Sequence, residues 1–166
     1  MEITERLHHS PVVNPSACPV KRGQVHQYNL GIMYGKGNGV QQDYAEAVKW
    51  YCLATEQGNA YAQYNLGVMY DNGIDVPQDY AEAVKWYRLA AEQGNANSQH
   101  NMGVLYGNGN GVPQDYIQGH MWFNLAAAKG SQIGRDNRDV IAKLMTPAQI
   151  AKAQALARKW LEEHGE

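Results

Sequence analysis

The chain has 166 residues, 44% hydrophobic and 18% charged, which at this size supplies enough apolar surface to offset the entropy of ordering and excludes wholesale disorder. Fourteen basic residues against sixteen acidic ones leave a formal charge of −2, without the positive excess that draws a protein onto phosphate backbones, so nucleic acid is a poor partner. No stretch approaches eighteen apolar residues, and Met1 to Ser10 carries Glu2, Glu5, Arg6, His8 and His9 where a secretory signal needs an apolar run. The expectation is no membrane insertion and a cytoplasmic location as written, or a periplasmic or secreted one if an upstream signal has been removed.

Residues 1–23 hold Pro11, Pro15 and Pro19 and none of the 11 tyrosines, which predicts a mobile leader outside the rest of the pattern. Cys18 there and Cys52 later lack C-x-x-C spacing and define no disulfide framework, and a single bridge between them is left open.

From residue 24 onward the chain repeats itself every 36 residues: Tyr28-Asn29-Leu30-Gly31 returns as Tyr64-Asn65-Leu66-Gly67 and His100-Asn101-Met102-Gly103. Asp43-Tyr44, Trp50-Tyr51 and Gly58 recur in the same register, giving units over 24–59, 60–95 and 96–130. Each unit reads as two helices, A then B. On the first A helix, Gln27, Leu30, Gly31 and Tyr34 share one side at about 100° per residue and should meet helix B. The linkers Gly35 to Gln42, Asp71 to Gln78 and Gly107 to Gln114 are equally long and rich in Gly, Asn and Pro, as turns between antiparallel helices require.

Helix B opens on a capping signature, Asp43 with Glu46, Asp79 with Glu82 and Asp115 with Gln118, in which the acid bonds free helix N–H groups. Its facing stripe is Tyr44, Ala47, Val48, Tyr51 and Ala54, which Trp50 and Leu53 broaden towards a neighbouring unit. Gly58, Gly94 and Gly130 close it, and Asn59, Asn95 or Ser131 caps the next helix. Mid-helix glycine costs about 1 kcal/mol against alanine, so the recurrence of Gly31, Gly67 and Gly103 implies close backbone approach under an aromatic ring.

Over 131–166 the pattern weakens. Ile133, Val140, Ile141 and Leu144 predict one helix, and Thr146-Pro147-Ala148-Gln149 starts a last one carrying Ile150, Ala157, Trp160 and Leu161. The higher charge of this segment suits a capping helix pair that no further unit covers.

The run Ala-x-x-x-Leu-Gly-x-x-Tyr, a Gly-rich loop ending Val-Pro-Gln-Asp-Tyr, and Ala-x-x-Trp-Tyr-x-x-Ala-Ala-x-Gln-Gly resembles the Sel1-like repeat, a relative of the tetratricopeptide repeat, over about residues 24 to 130. The segment from Asn137-Arg138-Asp139 through Met145-Thr146-Pro147-Ala148-Gln149-Ile150 to Trp160 is similar to the closing unit of bacterial members. The resemblance implies an all-α, right-handed superhelical solenoid of stacked antiparallel helix pairs, used mostly as a scaffold for proteins or peptides. His26 stands where the motif usually has a small residue, so the first A helix is expected to fray; Ile117 and Gly119 replace alanines of helix B.

The side of helix A away from helix B lines the inner groove of such a superhelix. It holds Val25, Tyr28, Asn29, Ile32 and Lys36, then Tyr61, Tyr64, Asn65, Val68 and Asn72, then Asn97, His100, Asn101, Val104 and Asn108. Tyrosine combines apolar area with a polar tip and an asparagine amide both donates and accepts, so Tyr28, Asn29, Lys36, Tyr61, Tyr64, Asn65, Asn72, Asn97, His100, Asn101 and Asn108 form the candidate partner-binding groove. The bland alternative is that Asn29, Asn65 and Asn101 bond neighbouring turns while Ile32, Val68 and Val104 pack between units.

Other chemistry finds little support. Gly35-Lys36-Gly37 fails the phosphate-loop pattern at both ends, and the 6 histidines show no H-E-x-x-H pair, so neither a cofactor nor a metal site is expected. Some cysteine-rich relatives bind or hydrolyse β-lactams, yet none of Ser10, Ser16, Ser98 or Ser131 has Lys three residues later, and no G-x-S-x-G occurs. The expectation is a non-enzymatic scaffold for a protein or peptide; the alternative is a hydrolase or a cell-wall (peptidoglycan or β-lactam) binder of the same architecture.

Overall fold

A computed structural model describes residues 26–164; the leader, Val25 and Cys18 lie outside the described residues. It is all-α. The helices are α1 (His26–Lys36), α2 (Tyr44–Thr55), α3 (Ala60–Asn72), α4 (Tyr80–Glu92), α5 (Ala96–Asn108), α6 (Tyr116–Ala128), α7 (Gln132–Ala142) and α8 (Pro147–Glu163). Each packs on the next through α7, so the A helices α1, α3 and α5 and then α7 follow one another along one side of the array, with α1 also touching α3 and α5 touching α7. Helices α7 and α8 both seat on α6.

The punctuation follows from orphan backbone groups. Asp43, Asp79 and Asp115 accept from the N–H groups of the first turn of α2, α4 and α6. No reciprocal bond from residue 46 or 82 completes these caps: the N–H groups of Asp43, Asp79 and Asp115 donate to the carbonyls of Tyr34, Tyr70 and Tyr106, and the Glu46 and Glu82 carboxylates pair with Lys49 and Lys85. That bond ties the start of each B helix to the end of its A helix. Between units, the Gly58 N–H donates to Thr55 and the Asn59 N–H to Ala54, a Schellman closure with Gly58 at φ 75°. The Asn59 side chain then accepts from Ala62 N–H, so one residue ends α2 and begins α3. Asn95 and Ser131 do the same for α5 and α7.

The linkers differ from expectation at their start. Gly35-Lys36, Asp71-Asn72 and Gly107-Asn108 are the last turn of the A helices, which close one residue later on Gly37, Gly73 and Gly109, all at positive φ. The left-handed residue, which only the backbone reveals, marks the end.

The core is a column of B-helix side chains against A-helix glycines. A Cβ at Gly31 would stand 2.5 Å from the Tyr51 ring, at Gly67 2.4 Å from Tyr87, and at Gly103 2.5 Å from Phe123. The recurring glycine thus admits an aromatic ring, whose full burial contributes about 1.5–3 kcal/mol. Gln57 and Gln93 clasp Gln27 and Gln63 across the first two pairs.

Two departures from the repeat meet the cap. Gly119, in the register of Ala47 and Ala83, would place a Cβ 2.9 Å from Ile141 Cδ1, so the lost methyl makes room for α7. His120, in the register of Val48 and Val84, is buried, with Nδ1 lacking a partner among the described residues. A reciprocal capping box on Thr146 and Gln149 starts α8, which buries Ala153 and Ala157 and sets Trp160 edge-on to Trp122 at 6.1 Å.

Candidate functional site

The side of the A helices away from the B helices is a stepped surface with one rung per unit. Asn29, Lys36, Asn72, Asn97 and Asn108 are exposed, and Tyr61 is 62% exposed. Tyr28, Tyr64, Asn65, His100 and Asn101 are half-buried. The rungs continue on α7 and the turn after it: Ile133, Asn137 and Val140 of α7 and Leu144 just beyond its end fall 36 residues after Asn97, Asn101, Val104 and Asn108. Ile133, Val140 and Leu144 are 55%, 58% and 62% exposed, so the face the sequence assigns only to a cap extends the same surface in apolar form. The 36-residue register carried one unit further would have found it.

The half-buried members hold neighbouring units together. The Asn65 amide lies near the hydroxyls of Tyr28 and Tyr51 and favours their ionised form, as Asn101 does for Tyr87. His100 lies between two amides: Nδ1 donates to Asn101 Oδ1 at 3.1 Å and Nε2 accepts from Asn137 Nδ2 at 2.9 Å. Asn72 donates to its own helix at Val68 O, 2.8 Å away. Tyr28 packs on Tyr51 and Tyr61, Tyr64 on Tyr87 and His100 on Phe123, with ring centroids 5.6–6.2 Å apart. Burial pushes the Tyr51 hydroxyl up to about 12 and raises Tyr28, Tyr64 and Tyr87, so these hydroxyls stay protonated hydrogen-bonding groups at neutral pH. Asn65, Asn101 and His100 therefore shape the surface from within, whereas Tyr61, Lys36, Asn97 and Asn108 face outward.

Two cavities open along this surface. One of about 240 Å³ is lined by Tyr28, Ile32, Gly35, Lys36, Tyr51 and Asn65 among others, between the first two units. The other, of about 370 Å³, lies between α5, α6 and α7 and is lined by Val104, Gly107, Tyr116, Phe123, Val140 and Leu144 among others. At the register shared by Gly35 and Gly107 the middle unit has Asp71, whose Oδ2 accepts from the Tyr87 hydroxyl at 3.0 Å. Asp71 went unnoticed in the sequence because it lay inside a stretch assigned to a loop; its signal was an acid where both flanking units have glycine. Among the described residues no group of three or more His, Cys, Asp or Glu side chains is placed to hold a metal ion.

The Sel1 repeat family matches residues 27–59, 60–95 and 96–131. A comparison with curated proteins gave no match. Among solved structures, the chain is similar to c5321, a protective antigen present in uropathogenic Escherichia coli strains displaying an SLR fold, with 39% identity, a TM-score of 0.71, and coverage of 84% of this chain and 29% of that one. It is also similar to a Sel1 repeat protein from Oxalobacter formigenes, with 37% identity, a TM-score of 0.66, and coverage of 76% of this chain and 49% of that one. The chain thus spans less than half the length of either. Sel1 repeats are typically protein-interaction modules, and no described helix is long and apolar enough to cross a membrane. The chain belongs to the Sel1 repeat family.

Proposed function

We propose, with membership of the Sel1 repeat family as the premise, that this chain is a non-catalytic interaction module that holds a segment of a partner protein along the wall formed by α1, α3, α5 and α7. The observation that carries this reading is the row Tyr61, Ile133, Val140 and Leu144: four of the six exposed large apolar side chains among the described residues, and the most exposed of them, share one side of the array beside two cavities. Tyr61 supplies ring area with a polar tip, and Asn97 and Asn108 supply paired donors and acceptors for a backbone.

Photo-crosslinking tests it. A benzophenone side chain placed at Tyr61 or at Leu144 captures a discrete partner in cells, while the same probe at Leu89, on the outer side of α4 and 44% exposed, does not. Equal capture from Leu89, or none from either groove position, contradicts the reading.

A further inference from the structure

The register shared by residues 35, 71 and 107 reads Gly, Asp, Gly, and the B-helix register facing it, residues 51, 87 and 123, reads Tyr, Tyr, Phe. Gly35 and Gly107 each border a cavity, of about 240 and 370 Å³, whose walls include Ile32 and Tyr51 in one and Val104, Phe123 and Leu144 in the other. In the middle unit the glycine is replaced by a carboxylate and the facing ring keeps the hydroxyl that carboxylate uses, whereas the third unit loses acid and hydroxyl together. The surface therefore presents apolar cavity, acid, apolar cavity in order along the array.

Asp71 is half-buried, its Oδ2 accepts from Tyr87, and among the described residues no Lys or Arg lies within ion-pair distance of it. Burial raises its carboxyl above the usual range, the cost of partial desolvation without a cation. An arriving ammonium or guanidinium offsets that cost. Lys36 borders the Gly35 cavity and disfavours a cation there, which leaves Asp71 as the place for one.

We propose that this surface takes an extended segment with a central Lys or Arg on Asp71 and an apolar side chain about three residues to either side, one in the Gly35 cavity and one in the Gly107 cavity. Taking successive A helices at about the 10 Å spacing of packed helices puts A helices two units apart at roughly 20 Å. An extended chain crosses that distance in about six residues. This rests on the reading of the same wall as the binding surface.

A random peptide library displayed on phage and panned on the full chain tests it. The expected outcome is enrichment of peptides with a basic centre and apolar residues about three positions away on both sides. The best peptide, measured by fluorescence anisotropy, loses at least tenfold in affinity on Asp71→Asn, on Gly107→Val, and on replacing its own basic residue by Met. The peptide-side change keeps the test valid whatever the protein variants do to stability. Peptides whose binding is lost on Tyr61→Ala with Leu144→Ala but which lack a basic centre, or ignore Asp71→Asn, overturn the Asp71 assignment and leave the groove standing. Peptides indifferent to all of these changes, or no enrichment, overturn both.

Discussion

The ring of Tyr87 lies over the backbone of Gly67 so closely that a Cβ on residue 67 would stand 2.4 Å from ring carbon Cδ1. Gly67→Ala gains up to about 1 kcal/mol in helix propensity but forces the fully buried ring aside, an overpacking cost of about 1–3 kcal/mol. The expected result is a lower urea midpoint for Gly67→Ala. Gly107→Ala, whose Cβ would meet only Ile141 Cδ1 at 3.5 Å, is neutral or stabilising. Equal effects of the two substitutions on the midpoint would contradict this account.

Asp75 occupies φ 56° at the register where the first and third units have Gly39 and Gly111, both at positive φ. The left-handed conformation is unfavourable for a residue with a Cβ, though Asp tolerates it better than most. Asp75→Gly is therefore expected to change stability by no more than about 1 kcal/mol, upward if at all. At Gly111 a Cβ would lie 2.5 Å from the Tyr80 carbonyl carbon as well as in strained backbone, so Gly111→Ala lowers the thermal midpoint clearly. A melt unchanged by Gly111→Ala would show that this loop does not bear on α4.

Burial, and next the positive charge of Arg138, hold the His120 imidazole below its ordinary 6.5, with Asp139 acting the other way. The unfolded chain thus takes up a proton before the folded one as pH falls. This histidine costs nothing well above pH 6.5 and progressively destabilises the fold from there down to its lowered folded value. Denaturation midpoints at pH 7.5 and 5.5 check it: His120→Val, which restores the side chain of the first two units, narrows the gap between the two midpoints. An unchanged gap would assign the acid sensitivity elsewhere.

Trp122, Met121 and Leu125 of α6 are buried in the complete array, with Trp160 of α8 set against Trp122. Removing 131–166 exposes that apolar stripe, and the truncated chain is expected to aggregate, as solenoid ends without covers do. Size-exclusion chromatography showing a soluble monomer with a cooperative melt would refute it.

The peptide that α1 to α6 spell out in three rounds carried most of the architecture openly. Aspartate caps, the Gly58, Gly94 and Gly130 closures and the Asn59, Asn95 and Ser131 starts are local chemistry, decided within five or so residues, and the Gly31, Gly67 and Gly103 register announced a ring overhead. What tertiary structure alone decided are the contacts between units. Asn65 and Asn101 lie near tyrosine hydroxyls, His100 is clasped by Asn137, Asp71 receives Tyr87, and Ile133 and Val140 of α7 with Leu144 just after it stay exposed. Helical periodicity sets the side of a helix on which each residue sits. Whether that side is covered, and by which polar group, depends on the neighbouring unit, and no pattern local to one helix encodes it.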